Sequence, residues 1–237
     1  AETEFLARNN TKELVLIAQD TTDYGKDLYH KRNISELVSR LSEVNGIEWI
    51  RMMYAYPSRF PESLIDEIKN NDKVCKYLDI PLQHISDSIL KSMRRGITSR
   101  QTRELLLQLR EEIPDLALRT TFIVGYPGET DKEFQELCDF VEEIKFDKMG
   151  TFTYSQEENT GSYTLGDPVP NEIKKARQSR LMEIQREISA EKNGELIGSK
   201  LKILVESLEG DFYVGRSYRD APEVDGEVLI NSGDDSI

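Results

Sequence analysis

One arginine within a predicted strand is the residue of this sequence best suited to hold a charged ligand. The strand runs from Leu116 to Gly125 and contains Arg119, with apolar residues on both sides. A guanidinium in such a strand must be paired or must bind a ligand, because burying it alone is very costly. Its planar fork matches a carboxylate. Arg119 is therefore either a ligand contact or one half of an ion pair with Asp or Glu on a neighbouring strand.

The other candidate ligand contacts stand where predicted strands end, which is where parallel sheets gather their reactive groups. They are Gln19, Asp20, Tyr54, Gln83, Gly125 and Glu129. These residues are mostly polar, carry few charges, and include an aromatic ring that can stack on an adenine. Two alternatives stay open from the residues alone. Asp20 could cap the turn that follows it, and Gly125 could serve only the tight turn before the next helix.

The sequence assigns no catalytic side chain and no metal ligand. The strand ends hold no cluster of histidines and carboxylates at metal spacing, no lysine for a Schiff base and no Ser–His pair. His84 is a candidate general base, although a histidine there more often orients a loop. Cys138 falls on the apolar face of a predicted helix and is expected in the core, and Cys75 does not suggest a ligand either. The rim is thus predicted to hold a polar ligand rather than to attack one.

The first two thirds of the chain alternate strand and helix patterns. The predicted strands are Leu14–Ala18, Ile47–Tyr54, Tyr77–Leu82, Leu116–Gly125 and Lys148–Tyr154. Strands separated by helices predict a parallel sheet wrapped by helices. An open, partial TIM-like βα barrel is favoured over a doubly wound sheet, because no Gly-rich dinucleotide turn follows the first strand. The helix that opens the chain implies a strand before it, so we expect about six βα units, the first of them incomplete here.

The last part of the chain has a different pattern. A long helix is predicted after Pro170, and three short strands follow, with turn residues between them. This spacing is typical of a small antiparallel β-barrel. The predicted organisation is a barrel domain over residues 1–168, a linker helix over 169–195 and a small β-barrel over 196–237.

Charge and cysteine content narrow the class of protein. The formal net charge is −13, and a strongly acidic chain is a poor partner for nucleic acid and suits a basic partner better. Two cysteines in 237 residues argue against a disulfide scaffold and fit a reducing compartment. The sequence contains no apolar run long enough to span a membrane. We expect a cytoplasmic protein that does not bind membranes.

Several separated motifs resemble one enzyme family. The segments that carry the resemblance are Gln19–Gly25, Trp49–Arg51, Tyr54–Pro57, Pro81–Asp87, Met93–Gly96 and Arg119–Thr130. Together they resemble the RimO branch of the radical S-adenosylmethionine methylthiotransferases, and the C-terminal strands resemble a TRAM domain, with Tyr213–Arg216 and Ala221–Gly226 as the matching segments. The resemblance covers nearly the whole chain.

The resemblance implies a reaction and its cofactors. Enzymes of this branch add a methylthio group to the β-carbon of an aspartate in ribosomal protein S twelve. A 4Fe–4S cluster cleaves S-adenosylmethionine reductively, and a second cluster delivers sulfur. Flavodoxin or ferredoxin is the implied electron donor. The resemblance also implies that Gln19, Asp20, Gln83, Arg119 and Gly125 contact S-adenosylmethionine, with Tyr54 and Glu129 as further contacts.

The nearest relatives of this branch modify an adenosine in tRNA, and the sequence favours the protein substrate over that alternative. Gln83–Ser86 and Leu118–Thr121 differ from the segments of the tRNA branch. Residues 196–237 hold nine acidic and four basic residues, a net charge of −5. A tRNA-binding barrel should be basic, whereas an acidic one suits a very basic ribosomal protein.

The cysteine motif that holds the cluster in this family does not occur in the sequence. We expect it upstream of residue 1, so the chain by itself is predicted to be inactive. Two other functions compete with this one. An iron-free βα-barrel lyase or isomerase would need a basic phosphate site and a lysine or carboxylate base, which the strand ends do not offer. A non-catalytic module that recruits a basic ribosomal protein would need only the acidic C-terminal domain.

Overall fold

The computed structural model describes residues 1–231 and residue 233, and a five-stranded parallel sheet forms its centre. The strands are β1 (Glu13–Leu16), β2 (Trp49–Met52), β3 (Val74–Asp79), β4 (Ala117–Val124) and β5 (Lys148–Thr153). They pair in the order β1-β2-β3-β4-β5, and every pairing is parallel. This order is that of a partial TIM-like barrel, so the predicted fold class is confirmed.

Helices connect the strands, as the alternating pattern predicts. They are α1 (Glu2–Arg8), α2 (Lys26–Tyr29), α3 (Ile34–Ser42), α4 (Glu62–Asn70), α5 (Asp87–Ser92), α6 (Ser99–Glu112), α7 (Asp131–Ile144) and α8 (Asn171–Glu195). Capping boxes fix the starts of two of them. Thr98 and Gln101 cap α6, and Thr130 and Glu133 cap α7, each pair satisfying backbone N–H groups that the first helical turn leaves unpaired.

The two faces of the sheet have different chemistry. Side chains alternate along a strand, so Ile50 and Met52 face the helices and join the main apolar core, while Trp49 and Arg51 face the concave side. The concave side carries charged residues, and residues from the C-terminal part of the chain pack on it, Ala221 among them. The outer face thus supplies the hydrophobic stability, and the inner face is left to polar groups.

Helix α8, predicted as a linker, packs on the barrel along its length. Leu181, Ile184 and Ile188 are buried in the main core, and α8 contacts β5 and α7. Lys174 reaches inward and donates from Nζ to the carbonyl oxygen of Tyr154 at 3.0 Å. This helix therefore covers one side of the sheet as well as leading to the C-terminal strands. The domain boundaries proposed from the sequence stay predictions.

The C-terminal strands form a three-stranded antiparallel sheet. They are β6 (Ile203–Glu209), β7 (Phe212–Ser217) and β8 (Val228–Asn231), in the order β6-β7-β8. The sequence predicts a small antiparallel barrel here, and the described residues show a sheet of three strands. The predicted domain also includes positions 232 and 234–237, which lie outside the described residues. None of the helices formed by residues 1–231 and 233 combines the length and the apolar character needed to cross a lipid bilayer.

Gly125 is required where α8 packs against the end of β4. Its φ is +74°, and a Cβ placed there would lie 2.3 Å from Cγ of Lys174. We predict that Gly125→Ala lowers the free energy of unfolding by about 1–3 kcal/mol, the usual cost of an overpacked site, with a strained backbone in addition. Chemical denaturation followed by circular dichroism measures this.

Gly194→Ala is the matched control for that prediction. Gly194 lies in α8, where an added methyl group would meet no atom within 4 Å and where φ is not positive. Alanine there should raise stability by about 0.5–1 kcal/mol, because glycine weakens a helix. Equal effects of the two substitutions would show that the contact with Lys174 does not constrain Gly125.

Candidate functional site

A cavity of about 1150 Å³ opens among the loops that follow β1, β2 and β3 and reaches Arg119 and Thr121 on the concave face of β4. Five of the seven sequence-predicted contacts line it. They are Gln19, Asp20, Tyr54, Gln83 and Arg119. The parallel order of the strands brings these distant positions to one place, because the ends of neighbouring strands meet at the same edge of the sheet.

Gln83 and Tyr54 are held in a backbone conformation that side-chain-bearing residues adopt rarely. Their φ angles are +72° and +57°. The backbone of Gln83 is fixed to β4, since its N–H donates to Thr121 O at 2.9 Å and its carbonyl accepts from Ile123 N at 2.8 Å. Strain of this kind is concentrated at functional sites and persists where the surroundings enforce it. With this backbone conformation, the side chains of both residues line the cavity.

The side chain of Gln83 contains an unsatisfied acceptor. Its Oε1 is buried and has no hydrogen-bond partner among the described residues. Buried polar atoms are nearly always paired, so this oxygen needs a donor from something that enters the cavity. An ammonium or hydroxyl group of a ligand would satisfy it.

Arg119 forms the ion pair that was one of its two predicted roles, and its role as a ligand contact stays a prediction. Its Nη1 lies 2.9 Å from Oδ1 of Asp79 on the neighbouring strand β3, and its Nε lies 3.5 Å from Oδ1 of Asp225 in the C-terminal domain. Arg119 also lines the cavity. Its side chain therefore forms an ion pair and also contributes to the cavity wall.

The local electrostatics explain how a charged pair persists inside the barrel. Burial raises the pKa of Asp79 above its ordinary value, although the Arg119 guanidinium beside it acts in the opposite direction. Burial opposes the charge of Arg119, yet its pKa is raised overall because Asp79 stabilises the cation. The arginine stays charged and available to an anion.

Asp20 and Gln19 occupy the outer part of the cavity. The carboxylate of Asp20 accepts two hydrogen bonds from Thr22, one from the backbone N–H at 2.9 Å and one from the side-chain hydroxyl at 2.6 Å. The turn-capping alternative for Asp20 is thus realised. Gln19 is exposed at the cavity mouth.

Gly125 and Glu129 do not line this cavity, although the sequence groups them with the other contacts. The buried carboxylate of Glu129 accepts from Gly125 N at 3.0 Å and from Arg177 Nη1 at 2.7 Å. It also lies 3.2 Å from His84 Nε2. These bonds fasten the turn after β4 to α8. Their assignment as ligand contacts stays a prediction.

The hydrogen bonds of His84 fix its tautomer and its role. Its Nδ1 accepts from the backbone N–H of Ser86 at 3.0 Å, so the proton is on Nε2 and is donated to Glu129. The ring is fully buried. His84 therefore orients the loop after β3 through Ser86 and Glu129.

Several cavity residues were not found from the sequence. Arg95 stacks on Tyr56 at 4.4 Å from the ring centroid and donates to Pro81 O at 2.6 Å, and burial lowers its pKa. Phe152 and Val224 also line the cavity. The motif Met93–Gly96 contained Arg95, but its spacing gave no sign that the guanidinium folds back over the strand ends.

A second cavity of about 430 Å³ adjoins the first and shares Gln83, Arg95 and Phe152 with it. Tyr126 and Tyr154 line it, with their rings edge to face at 5.2 Å. Arg94 lies on its wall, and its guanidinium makes no ion pair or hydrogen bond within the part of the chain that the structure describes. The two cavities together offer space for two molecules that meet near Gln83.

Sequence profiles agree with this architecture. The profile of the Radical SAM superfamily matches residues 1–141, and that of the TRAM domain matches residues 197–236. The chain belongs to the radical SAM superfamily. A parallel partial barrel with a polar cavity at its strand ends, followed by a small antiparallel sheet, is the corresponding structure.

Curated proteins of high similarity share one name. The chain is 53% identical over 231 residues to "Ribosomal protein uS12 methylthiotransferase RimO" of Christiangramia forsetii, covering 98% of this chain and 51% of that protein. Proteins with the same name from Caldanaerobacter subterraneus (51% identity, 98% of this chain, 53% of that protein) and Bacteroides fragilis (48%, 100% and 55%) match similarly. The resemblance to the RimO branch is confirmed, and the chain spans about half the length of these curated relatives.

Solved structures confirm the fold at lower identity. The radical S-adenosylmethionine methyltransferase TsrM of Kitasatospora setae matches with a TM-score of 0.50 and 19% identity, over 64% of this chain and 29% of that one. Coproporphyrinogen III oxidase of Escherichia coli matches with a TM-score of 0.50 and 18% identity, over 71% and 37%.

The superfamily uses S-adenosylmethionine and a 4Fe–4S cluster, and the described residues fit the first of these. The larger cavity offers a cation for a carboxylate at Arg119, an unpaired acceptor at Gln83 and aromatic rings for an adenine. For a cluster, the described residues offer no group of three or more His, Cys, Asp or Glu that could hold a metal.

Both cysteines are buried and free, and neither contributes to the site. Burial raises the pKa of the Cys75 thiol to about 12 and that of Cys138 to about 11. We predict that neither reacts with a disulfide reagent such as DTNB in the folded protein at pH 8, because the thiolate is the reacting species. In guanidinium chloride both should react, which is the control. Rapid labelling of either thiol in the folded chain would contradict the burial.

Proposed function

We propose that this chain is the radical S-adenosylmethionine and TRAM part of a methylthiotransferase of the RimO type. It adds a methylthio group to the β-carbon of an aspartate in ribosomal protein uS12, in the cytoplasm. The observation that carries the proposal is about 50% identity over nearly the whole chain to proteins named for that reaction. The polar double cavity supports it, since the reaction must bring a cofactor and an acceptor together.

The larger cavity binds S-adenosylmethionine through groups of matching chemistry. Arg119 binds the methionyl carboxylate, because a guanidinium fork pairs with that group. The free Oε1 of Gln83 accepts a hydrogen bond from the methionyl ammonium. Tyr54 and Tyr56 border the adenine, and Gln19 and Asp20 at the mouth bind the ribose hydroxyls. The remaining oxygen of Asp20 is free for this because its Oδ1 holds the turn.

A basic protein suits the C-terminal domain better than RNA does. Three of its four basic residues form ion pairs. Arg216 pairs with Glu13 and Glu206, Arg219 pairs with Asp147, and Lys202 pairs with Glu48. Exposed carboxylates remain on its surface. They include Glu209, Asp211, Glu223 and Glu227. An acidic surface attracts a basic ribosomal protein and repels the phosphates of tRNA.

The smaller cavity receives the acceptor aspartate. Arg94 offers it a guanidinium that pairs with none of the described residues, and Gln83, which lines both cavities, marks where the aspartate meets the cofactor. Since reductive cleavage of S-adenosylmethionine consumes an electron, the partners also include an electron donor such as flavodoxin or ferredoxin.

The test is turnover by the whole protein that contains this sequence, after anaerobic iron–sulfur reconstitution. S-adenosylmethionine, a reductant and either uS12 or tRNA are supplied, and products are found by mass spectrometry. A methylthio adduct on an aspartate of uS12 is the expected result. An adduct on tRNA alone would assign the sister reaction, and binding of uS12 without any adduct would reduce the function to recruitment.

Arg94→Gln tests the acceptor site within that assay. We predict that it lowers kcat/KM for uS12 about tenfold or more, because a hydrogen bond to a charged group contributes about 1.5–3 kcal/mol. Its affinity for S-adenosylmethionine should stay unchanged.

Arg100→Gln is the matched control for Arg94. Arg100 is exposed on α6, and within the described residues its one ion pair is a 3.6 Å surface contact with Glu104. Its loss should therefore leave kcat/KM for uS12 and the affinity for S-adenosylmethionine unchanged. An Arg94→Gln enzyme with normal kcat/KM would remove Arg94 from acceptor binding.

A further inference from the structure

A chain of buried contacts crosses the concave face of the sheet and joins the C-terminal domain to the larger cavity. At its far end, Arg51 binds Glu13 at 2.7 Å and donates to the carbonyl oxygen of Tyr218 at 2.7 Å. The Arg51 guanidinium also stacks on Tyr77 at 4.7 Å from the ring centroid. Arg51 and Tyr77 are both fully buried. Tyr77 is thereby fixed in the middle of the barrel.

Asp225 continues this chain to the cavity. Its Oδ2 accepts from the Tyr77 hydroxyl at 2.7 Å and from the backbone N–H of Ala221 at 2.9 Å. Its Oδ1 faces Arg119 Nε at 3.5 Å, and the side chain is only 3% exposed. The preceding residue, Val224, lines the cavity itself. The C-terminal domain therefore contributes Val224 to the cavity wall and Asp225 to the contact with Arg119 behind it.

We propose that Asp225 is a positioning residue for Arg119, and that the C-terminal domain completes the cofactor cavity through the segment 221–225. In its cofactor part this inference rests on the proposed function. It gives the TRAM domain a role inside the barrel, in addition to any contact with the substrate on its outer surface.

The physical reason is the freedom of the arginine side chain. Asp79 holds only Nη1 of Arg119, which leaves the guanidinium able to turn about that contact. A carboxylate at the Nε edge opposes this rotation and leaves fewer orientations open to the guanidinium. If the side chain is already ordered before the ligand binds, less conformational entropy is lost on binding. Asp225 is itself ordered by Tyr77 and Ala221, so it can impose that order.

If Asp225 acted through its charge alone, its removal would strengthen ligand binding, whereas a positioning role predicts weaker binding. Arg119 faces the carboxylates of Asp79 and Asp225 together. Taking one negative charge away would favour an incoming ligand carboxylate at Arg119, because like charges repel. Positioning predicts weaker ligand binding, and charge alone predicts tighter binding. The sign of the change separates them.

The first experiment needs no ligand. In ¹⁵N-labelled full chain, the Nε–Hε signal of Arg119 is assigned from its loss in Arg119→Lys. Asp225→Asn should shift it and speed its exchange with water, while Asp220→Asn should not. Asp220 is the matched control, because it binds Lys148 at 2.7 Å in the same domain interface and does not line the cavity. An unmoved Arg119 signal in Asp225→Asn would overturn the positioning role.

The second experiment titrates S-adenosylmethionine by calorimetry at a temperature where all variants are folded. Asp225→Asn and Asp225→Ala should weaken binding about tenfold, a loss typical of a charge-assisted contact, and Asp220→Asn should leave it unchanged. In Arg119→Gln, further loss of Asp225 should have no effect, because the residue acts through Arg119. Unchanged or tighter binding in the Asp225 variants would overturn the inference.

The two experiments separate the inference from the function it rests on. If the unaltered protein, with its cluster reconstituted, binds no S-adenosylmethionine, the cofactor assignment fails, and the Arg119 signal still decides whether Asp225 positions it. If the cofactor binds and the Asp225 variants behave like Asp220→Asn, the function stands and the inference fails.

Discussion

The pairing of charges on the concave face of the sheet is the constraint on which this structure depends. Arg51 and Arg119 lie inside the barrel, where an unpaired guanidinium would be very costly. The sheet supplies one carboxylate for each, from Glu13 and Asp79. The C-terminal domain adds the Tyr218 carbonyl to Arg51 and the Asp225 carboxylate to Arg119. Docking of that domain is therefore part of how the barrel tolerates a polar interior.

This arrangement separates stability from ligand binding. The outer face of the sheet packs an apolar core against the helices, with residues such as Ile50 and Phe122 fully buried. The inner face has a smaller apolar cluster, and it carries charged side chains and a large cavity instead. Buried ion pairs contribute little net stability compared with apolar packing, but they fix orientation. A fixed orientation of the Arg119 guanidinium favours ligand binding in the cavity, because less side-chain freedom is then lost on binding.

The loops around the cavity are held by contacts that do not touch a ligand. Glu129 gathers Gly125, His84 and Arg177 into one buried cluster, which binds the turn after β4 to α8. Gln83 is held to β4 through its backbone on both sides. These contacts explain how Gln83 keeps its positive φ angle. The motif residues of this family thus divide into some that face the cavity and others that support it.

The sequence by itself determined the parallel barrel and the places of Gln19, Asp20, Tyr54, Gln83 and Arg119 on or at the ends of its strands. Strand periodicity and strand ends are local patterns, so they can be recognised without the tertiary structure. It left open whether Arg119 pairs with a carboxylate or faces a ligand, and it grouped Gly125 and Glu129 with the cavity. Only the tertiary structure decided these points. Asp79 lies 40 residues from Arg119 along the chain, and Asp225 belongs to a different domain. Their pairing depends on how strands and domains pack, and no local spacing carries that information.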